Sequence, residues 1–144
     1  MRRGATIVEM AIVGPLVFML LVGLLVGSLG VFRYQQIARL ARDASRWASV
    51  HGTSYASDTK LTAATSTDVY NTAIQPYAQG LDLTKLGYTV TWSTSNSPSH
   101  KVTVNNQTIK VANTVTVTIT YQWIPVAYLG GATMSSTSVD VMSN

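Results

Sequence analysis

Apolar and polar positions follow three regimes along this chain. From Met10 to Phe32, 23 residues carry no charged side chain. As a helix they would rise about 35 Å, against a bilayer hydrocarbon core of about 30 Å. Beyond them, at about 100° per residue, Ile37, Leu40, Ala41, Ala44 and Ala48 gather on one face. Arg39, Arg42 and Arg46 gather on the opposite face, and Trp47 borders the apolar stripe. The pattern predicts an amphipathic continuation to His51, with Gly52 as its C-terminal stop. One helix from about residue 5 to 50 would be roughly 70 Å long and needs partners along its length. Gly14-Pro15 is expected to bend or loosen it near its start. Gly23 and Gly27 form a GxxxG spacing that admits a close helix neighbour, although glycine is also simply frequent in membrane helices.

The third regime begins after Gly52. Ser54–Asp58 reads as a turn. Thr67–Gln79 reads as a short helix with Tyr70, Ala73, Ile74 and Tyr77 on one face, its last turn disturbed by Pro76. From Leu86 the period becomes two. Thr114–Trp123 sets Val115, Val117, Ile119, Tyr121 and Trp123 against Thr114, Thr116, Thr118, Thr120 and Gln122, a half-buried strand pattern. Gly87–Thr94 and Met134–Met142 read as further strands. Lys101–Val104 and Thr108–Val111 flank Asn105-Asn106 and can pair as a hairpin. The expected fold is α+β: a long N-terminal helix over residues 5–52, of which 10–32 is long enough to span a membrane, and a small antiparallel domain over 53–144. One sheet face should lie under the helix and the other be partly wet. The apolar loop Ile124–Gly131 either packs back on the core or meets another subunit.

Composition sharpens this division. Charged residues make up only 11% of the chain and hydrophobic ones 47%, against a usual charged share of about 25%. The net charge of +4 is confined to residues 1–50, where all six arginines face Glu9 and Asp43. Beyond residue 50, four lysines balance four aspartates. The basic character therefore flanks an apolar helix, a membrane pattern rather than a nucleic-acid surface. The chain has no cysteine, which excludes a disulfide framework, a thiolate nucleophile and a thiolate metal site.

Glu9 is the sole glutamate and stands at the lip of the apolar run, where desolvating a carboxylate costs about 2.5 kcal/mol or more at full depth. A secretory signal peptide does not fit, because the run is longer than the usual 7–15 residues and no A-x-A site follows. An ordinary single-pass anchor fits the length and leaves Glu9 without a purpose. In the third reading a short basic leader, residues 1–4, is cut after Gly4. Ala5 is then the new N-terminus and Glu9 its fifth residue, the type IV prepilin arrangement.

The stretch "RRGATIVEMAIVGPL…LLVG…FRYQQIARLARDASRWASVHG" resembles the TadE-like family of Tad/Flp pilus proteins over about residues 2–50, and "VTVTITYQWIPVAYLGG" resembles it more loosely. Met10 departs from the aromatic residue usual after the glutamate. The resemblance implies a pilin-like or pseudopilin envelope protein, cleaved between Gly4 and Ala5 by a prepilin peptidase. Glu9 would set subunit registry by meeting a neighbour's free α-amino group in a dry environment, where an unpaired carboxylate would be penalised. Implied partners are other pilin subunits, met through the N-terminal helix, and the inner-membrane assembly machinery. The implied location is the cytoplasmic membrane with an extracytoplasmic C-terminal domain, then the cell-surface pilus. A plain count of flanking arginines, two before the run and four after it, would instead place the C-terminal side in the cytoplasm. The resemblance implies N-in, C-out instead, and the later arginines are spread along an amphipathic helix rather than gathered beside the run.

No enzyme pattern emerges. His51 and His100 lack a second ligand at metal spacing, and His51 suits a helix end. Asp58, Asp68, Asp82 and Asp140 lie among cap and turn residues. There is no phosphate loop, nucleophile elbow or dinucleotide fingerprint. No catalytic residue, cofactor, metal or nucleic-acid partner is expected. Trp92, Tyr121, Trp123 and Tyr128 could form a sugar-binding surface, but the strand phase of Tyr121 and Trp123 assigns them to the core. The resemblance implies a structural pilus subunit, and a minor pseudopilin rather than the bulk one, since the family's bulk pilins are usually very short and this C-terminal domain is larger. The alternatives are a major filament pilin and a permanently anchored extracytoplasmic binding module.

Overall fold

The computed structural model describes residues 3–125 and 130–143, with the backbone alone for 3–6. Helix α1, Arg3–Val50, is 48 residues long and carries the membrane-length run and its amphipathic continuation as one unit. It runs unbroken through Gly14-Pro15. Proline's missing N–H withdraws one i→i−4 bond there without ending the helix.

Gly52 does not stop α1 in the expected way. Its backbone is extended (φ −83°, ψ −161°), not left-handed, and it is the N-cap of helix α2, Thr53–Thr59. Its carbonyl accepts from the Ala56 N–H at 3.0 Å. The turn expected at Ser54–Asp58 is therefore helical. Two hydroxyls bond back one turn within it, Ser57 Oγ to the Thr53 carbonyl at 3.0 Å and Thr59 Oγ1 to that of Tyr55 at 2.7 Å. Lys60, at φ 59°, closes it in the left-handed region.

The helix expected over 67–79 is present in three pieces: α3, Ser66–Val69; a π-helical turn, Tyr70–Ile74; and a 3₁₀ turn, Gln75–Tyr77. Thr65 and Asp68 form a capping box at its start. The wide π turn inserts a residue into the helical phase. Val69, Ala73, Ile74 and Ala78 are buried as a result. Tyr77, expected on the inner face, is instead 68% exposed.

Among the described residues five strands follow: β1, Leu86–Trp92; β2, Ser99–Val104; β3, Gln107–Ala112; β4, Thr114–Trp123; and β5, Ala132–Val141. The main sheet is antiparallel in the order β1-β4-β5. Strands β2 and β3 form a separate hairpin that turns on Asn105-Asn106 at φ 51° and 61°. Two consecutive left-handed residues are what a type I′ hairpin turn requires. Buried Asn113 joins the two sheets. Its Nδ2 donates to the Ser97 carbonyl at 2.9 Å, and His100 Nδ1 lies 2.6 Å from its Oδ1.

The inner face of β4 buries Val115, Val117, Ile119 and Tyr121 against Ile37, Leu40, Ala41, Ala44 and Ala48 of α1. Each fully buried aliphatic side chain contributes about 1.5–3 kcal/mol, and the alanines let the helix approach the sheet closely. The threonines of β4 and the outward residues of β1 and β5 form the wetter face. Strand β5 presents half-buried Ser136, Ser138 and Asp140 toward α1, a polar seam in an otherwise apolar contact. Of the loop Ile124–Gly131, residues 126–129 lie outside the described residues. Ile124 is exposed and Pro125 buried.

Candidate assembly interface

The outstanding surface of this protein is the free half of α1. Over its most apolar 18-residue window the mean hydropathy is 2.5 and none of the window is buried. From Ile7 to Leu29 its large apolar side chains are exposed, save Val22 and Val26, which are half-buried. A helix apolar all round is stable only where something dry surrounds it, and the other described residues leave this window uncovered. Lipid or neighbouring helices are surroundings that would suit it.

The glycines on this half divide by what they face. A Cβ added at Gly14, Gly23 or Gly27 would meet nothing within 4 Å. Gly23 and Gly27 share a face, and Gly14 lies about 180° away from Gly23 at 100° per residue. The three do not form one stripe, so Gly14-Pro15 and the GxxxG pair would serve different neighbours. Glu9 is exposed near the free end of α1. Gly4 and Ala5 have helical backbone, and their side-chain surroundings lie outside the described residues, as do Met1 and Arg2.

Gly30, which carried no sequence signal of its own, marks where the free half ends. It is buried beneath the Trp123 indole, with Met134 close by. Arg33 follows, half-buried, donating from Nη1 to Gln36 Oε1 at 2.9 Å and passing over Gly80. Arg33 is thus packed against the folded domain. Beyond it Arg39, Arg42 and Arg46 are exposed as expected. Arg39 Nε lies 3.8 Å from Asp43, a solvent-exposed pair of little energetic weight.

The aromatics expected in the core are placed there. Tyr121 is buried, and Trp92 and Trp123 pack against the core cluster; Tyr128 lies outside the described residues. His51 Nδ1 is 2.7 Å from the Trp47 carbonyl, at the end of α1. Asp68 and Asp82 cap short helical turns, as read from the sequence. Both carboxyls are held below the usual aspartate range. For Asp68 the cause is the Thr65 N–H, then the Thr65 hydroxyl. For Asp82 it is the Thr84 hydroxyl, then the Thr84 N–H, with Lys85 assisting.

A family model described as TadE-like protein matches residues 4–46. That segment is similar to the TadE-like family. The match covers the free half of α1 and most of its amphipathic half, the same stretch that carries the resemblance seen in the sequence. It ties this part of the chain to a pilus-associated family, with which a single apolar, anchor-length helix agrees. No curated protein and no solved structure matches the chain.

Proposed function

We propose that this chain is a minor, pseudopilin-like structural subunit of a Tad/Flp-type pilus. The observation that carries the proposal is the free half of α1: a TadE-like helix, apolar on every face, whose open glycines await neighbours and whose one acid stands at its N-terminal lip. Such a helix is equally at home in lipid and in a filament core, since both are dry. The chain inserts N-in with residues 53–144 outside, as a single-pass protein of the cytoplasmic membrane. A prepilin peptidase cuts between Gly4 and Ala5, and assembly machinery moves the helix from lipid into the filament. Glu9 then meets the α-amino group of a neighbouring subunit and sets registry.

The test is the N-terminal mass of the protein from native cells, in membranes and in sheared surface material. A mature chain starting at Ala5 in sheared material is expected, at low abundance relative to the bulk subunit. A chain that keeps Met1 and stays in membranes would overturn the proposal and leave an anchored module. Filaments built from this chain alone would make it a major pilin.

A further inference from the structure

The β2–β3 hairpin is an exposed arm with an unpartnered side. Every residue of β3 is exposed, and a lone two-stranded hairpin is marginal in water. Its register sets Val102 opposite Ile109 and Lys101 opposite Lys110, so one face is apolar and the other carries two facing ammonium groups. Like charges directly opposite are unfavourable. Among the described residues, neither lysine has an acidic partner within 4.0 Å.

The complementary feature is the outer edge of β5. Its ten residues pair with β4 without a bulge, and no described strand pairs with the other side. It contains no lysine and no proline, the usual guards of an open edge. Val139 and Val141 stand on its wet face, 57% and 59% exposed. Between them Asp140 points toward α1, its Oδ2 accepting from Ser45 Oγ at 2.6 Å. No described guanidinium or ammonium lies within 4.0 Å of that carboxylate. An inward acid on an edge strand repels any strand that would bury it unpaired, and it admits one that brings a cation.

We propose that β3 of one copy adds to the open β5 edge of the next copy, with Lys110 opposite Asp140. The sequences Ile109-Lys110-Val111 and Val139-Asp140-Val141 then match position by position, apolar beside apolar and cation beside anion. Two features unfavourable in the single chain relieve each other. The alternative edge, β1, fits worse: its inward residues Tyr88, Val90 and Trp92 offer Lys110 no anion, and its outward Thr89 and Thr91 offer Ile109 and Val111 no apolar partner. Because β3 and β5 are different surfaces, the contact is head-to-tail rather than two-fold, and it joins neighbouring copies in a ring or a short open run. It is separate from the packing of α1.

The absence of native cysteine makes cross-linking clean. Full-length Ile109→Cys and Val139→Cys chains carrying different tags are co-expressed in membranes and oxidised, in parallel with Ile109→Cys and Val141→Cys. These three positions are exposed, so folding is not at stake. A mixed-tag disulfide dimer is expected predominantly from one of the two pairings, which also fixes whether the added strand is parallel or antiparallel. Lys110→Gln should lower its yield by about fivefold, the upper end for a cross-strand ion pair, while Lys101→Gln, one strand further from β5, leaves it nearly unchanged. Yields no higher than with Ile109→Cys and Ser57→Cys, or equal losses for the two lysine variants, would overturn the docking. A processed, exported chain without the cross-link would sink this contact alone. A cross-linked chain that keeps Met1 and never leaves the membrane would sink the pilus reading alone.

Discussion

The Trp123 ring lies over Gly30 with Cη2 and Cζ3 each 3.3 Å from where a Cβ would stand. The contact fixes the lower end of the sheet to α1 near the end of the helix's apolar run, and so sets where along α1 the folded domain sits. Gly30→Leu drives side-chain atoms into the indole. Overpacking of this kind costs about 1–3 kcal/mol, against a helix-propensity gain of about 1 kcal/mol. Lower urea resistance and red-shifted tryptophan emission are expected of the full chain in detergent. Gly30→Ala, needing only a few tenths of an ångström from the ring, should come out near neutral. A leucine tolerated with unchanged emission would mean the contact positions nothing.

Ser45 is fully buried, yet its hydroxyl donates to Asp140 Oδ2 at 2.6 Å and lies 2.9 Å from Ser138 Oγ. One hydroxyl therefore joins α1 to the edge strand through the polar seam. Ser45→Ala strips a part-buried carboxylate of its donor, a loss of about 1–3 kcal/mol. A double-mutant cycle with Asp140→Ala should show a coupling of at least about 0.5 kcal/mol. Strict additivity in chemical denaturation would show that the seam is held by something else.

Asn113 is fully buried between the two sheets. Besides bonding Ser97 and facing His100, its Nδ2 donates to Ser95 Oγ at 3.2 Å, and its Oδ1 accepts from Ser93 Oγ at 3.3 Å. The segment Ser93–His100 has few apolar anchors, so this amide organises it together with Asn96, whose Nδ2 donates to the Ala64 carbonyl at 2.7 Å. Asn113→Ala should cost about 2–3 kcal/mol and free the arm. Hydrogen exchange should then speed up over residues 93–112, with β1 and β4 protected as before. Uniform acceleration across the whole domain would contradict a local role.

The sequence made the long helix, the antiparallel strands and the Asn105-Asn106 turn legible because each rests on a period or a turn chemistry that needs no tertiary information. The alternation over Thr114–Trp123 assigned its inner face residue by residue, since strand period two leaves no freedom. The departures came where a local choice depends on distant partners. Gly52 could end α1 or begin α2, and the Ala64 N–H bonding the His51 carbonyl at 3.0 Å belongs to a loop no period reveals. Tyr77 followed an ideal 3.6 phase that the π turn at Tyr70–Ile74 breaks. Of the interface, Glu9 and the glycines stand out by composition. Gly30 differs from Gly23 and Gly27 only through Trp123, more than ninety residues away in sequence, and nothing local separates them.

Acid should loosen the turns before the core. Asp68 and Asp82 have lowered folded-state pKa values because Thr65 and Thr84 donate to their charged forms. Their contribution is fully present above the unfolded aspartate value of about 3.9 and is lost as pH falls through the lower folded values. Stability should therefore decline below about pH 4, with local exchange rising first around Thr65–Val69 and Asp82–Lys85. Asp68→Asn should flatten part of that decline. A profile identical to wild type would show that the capping box does not couple to folding.

Glu9 gives the sharpest test of assembly. In the isolated chain its side chain is exposed near the end of α1, so the fold itself gains nothing from the carboxylate. Entering a filament core, the same group loses its water and is tolerable only beside a cation. Replacing it by alanine or glutamine should leave insertion into the membrane intact, because removing a charge eases transfer into lipid. On the registry role, both variants should enter sheared filaments at least about tenfold less well, since a missing partner also strands the neighbour's α-amino group, and even 1.4 kcal/mol is a factor of ten. Glutamine retains the shape, so equal failure of the two variants assigns the effect to charge. Normal incorporation of either would remove registry as the reason for placing the chain's one glutamate at this position.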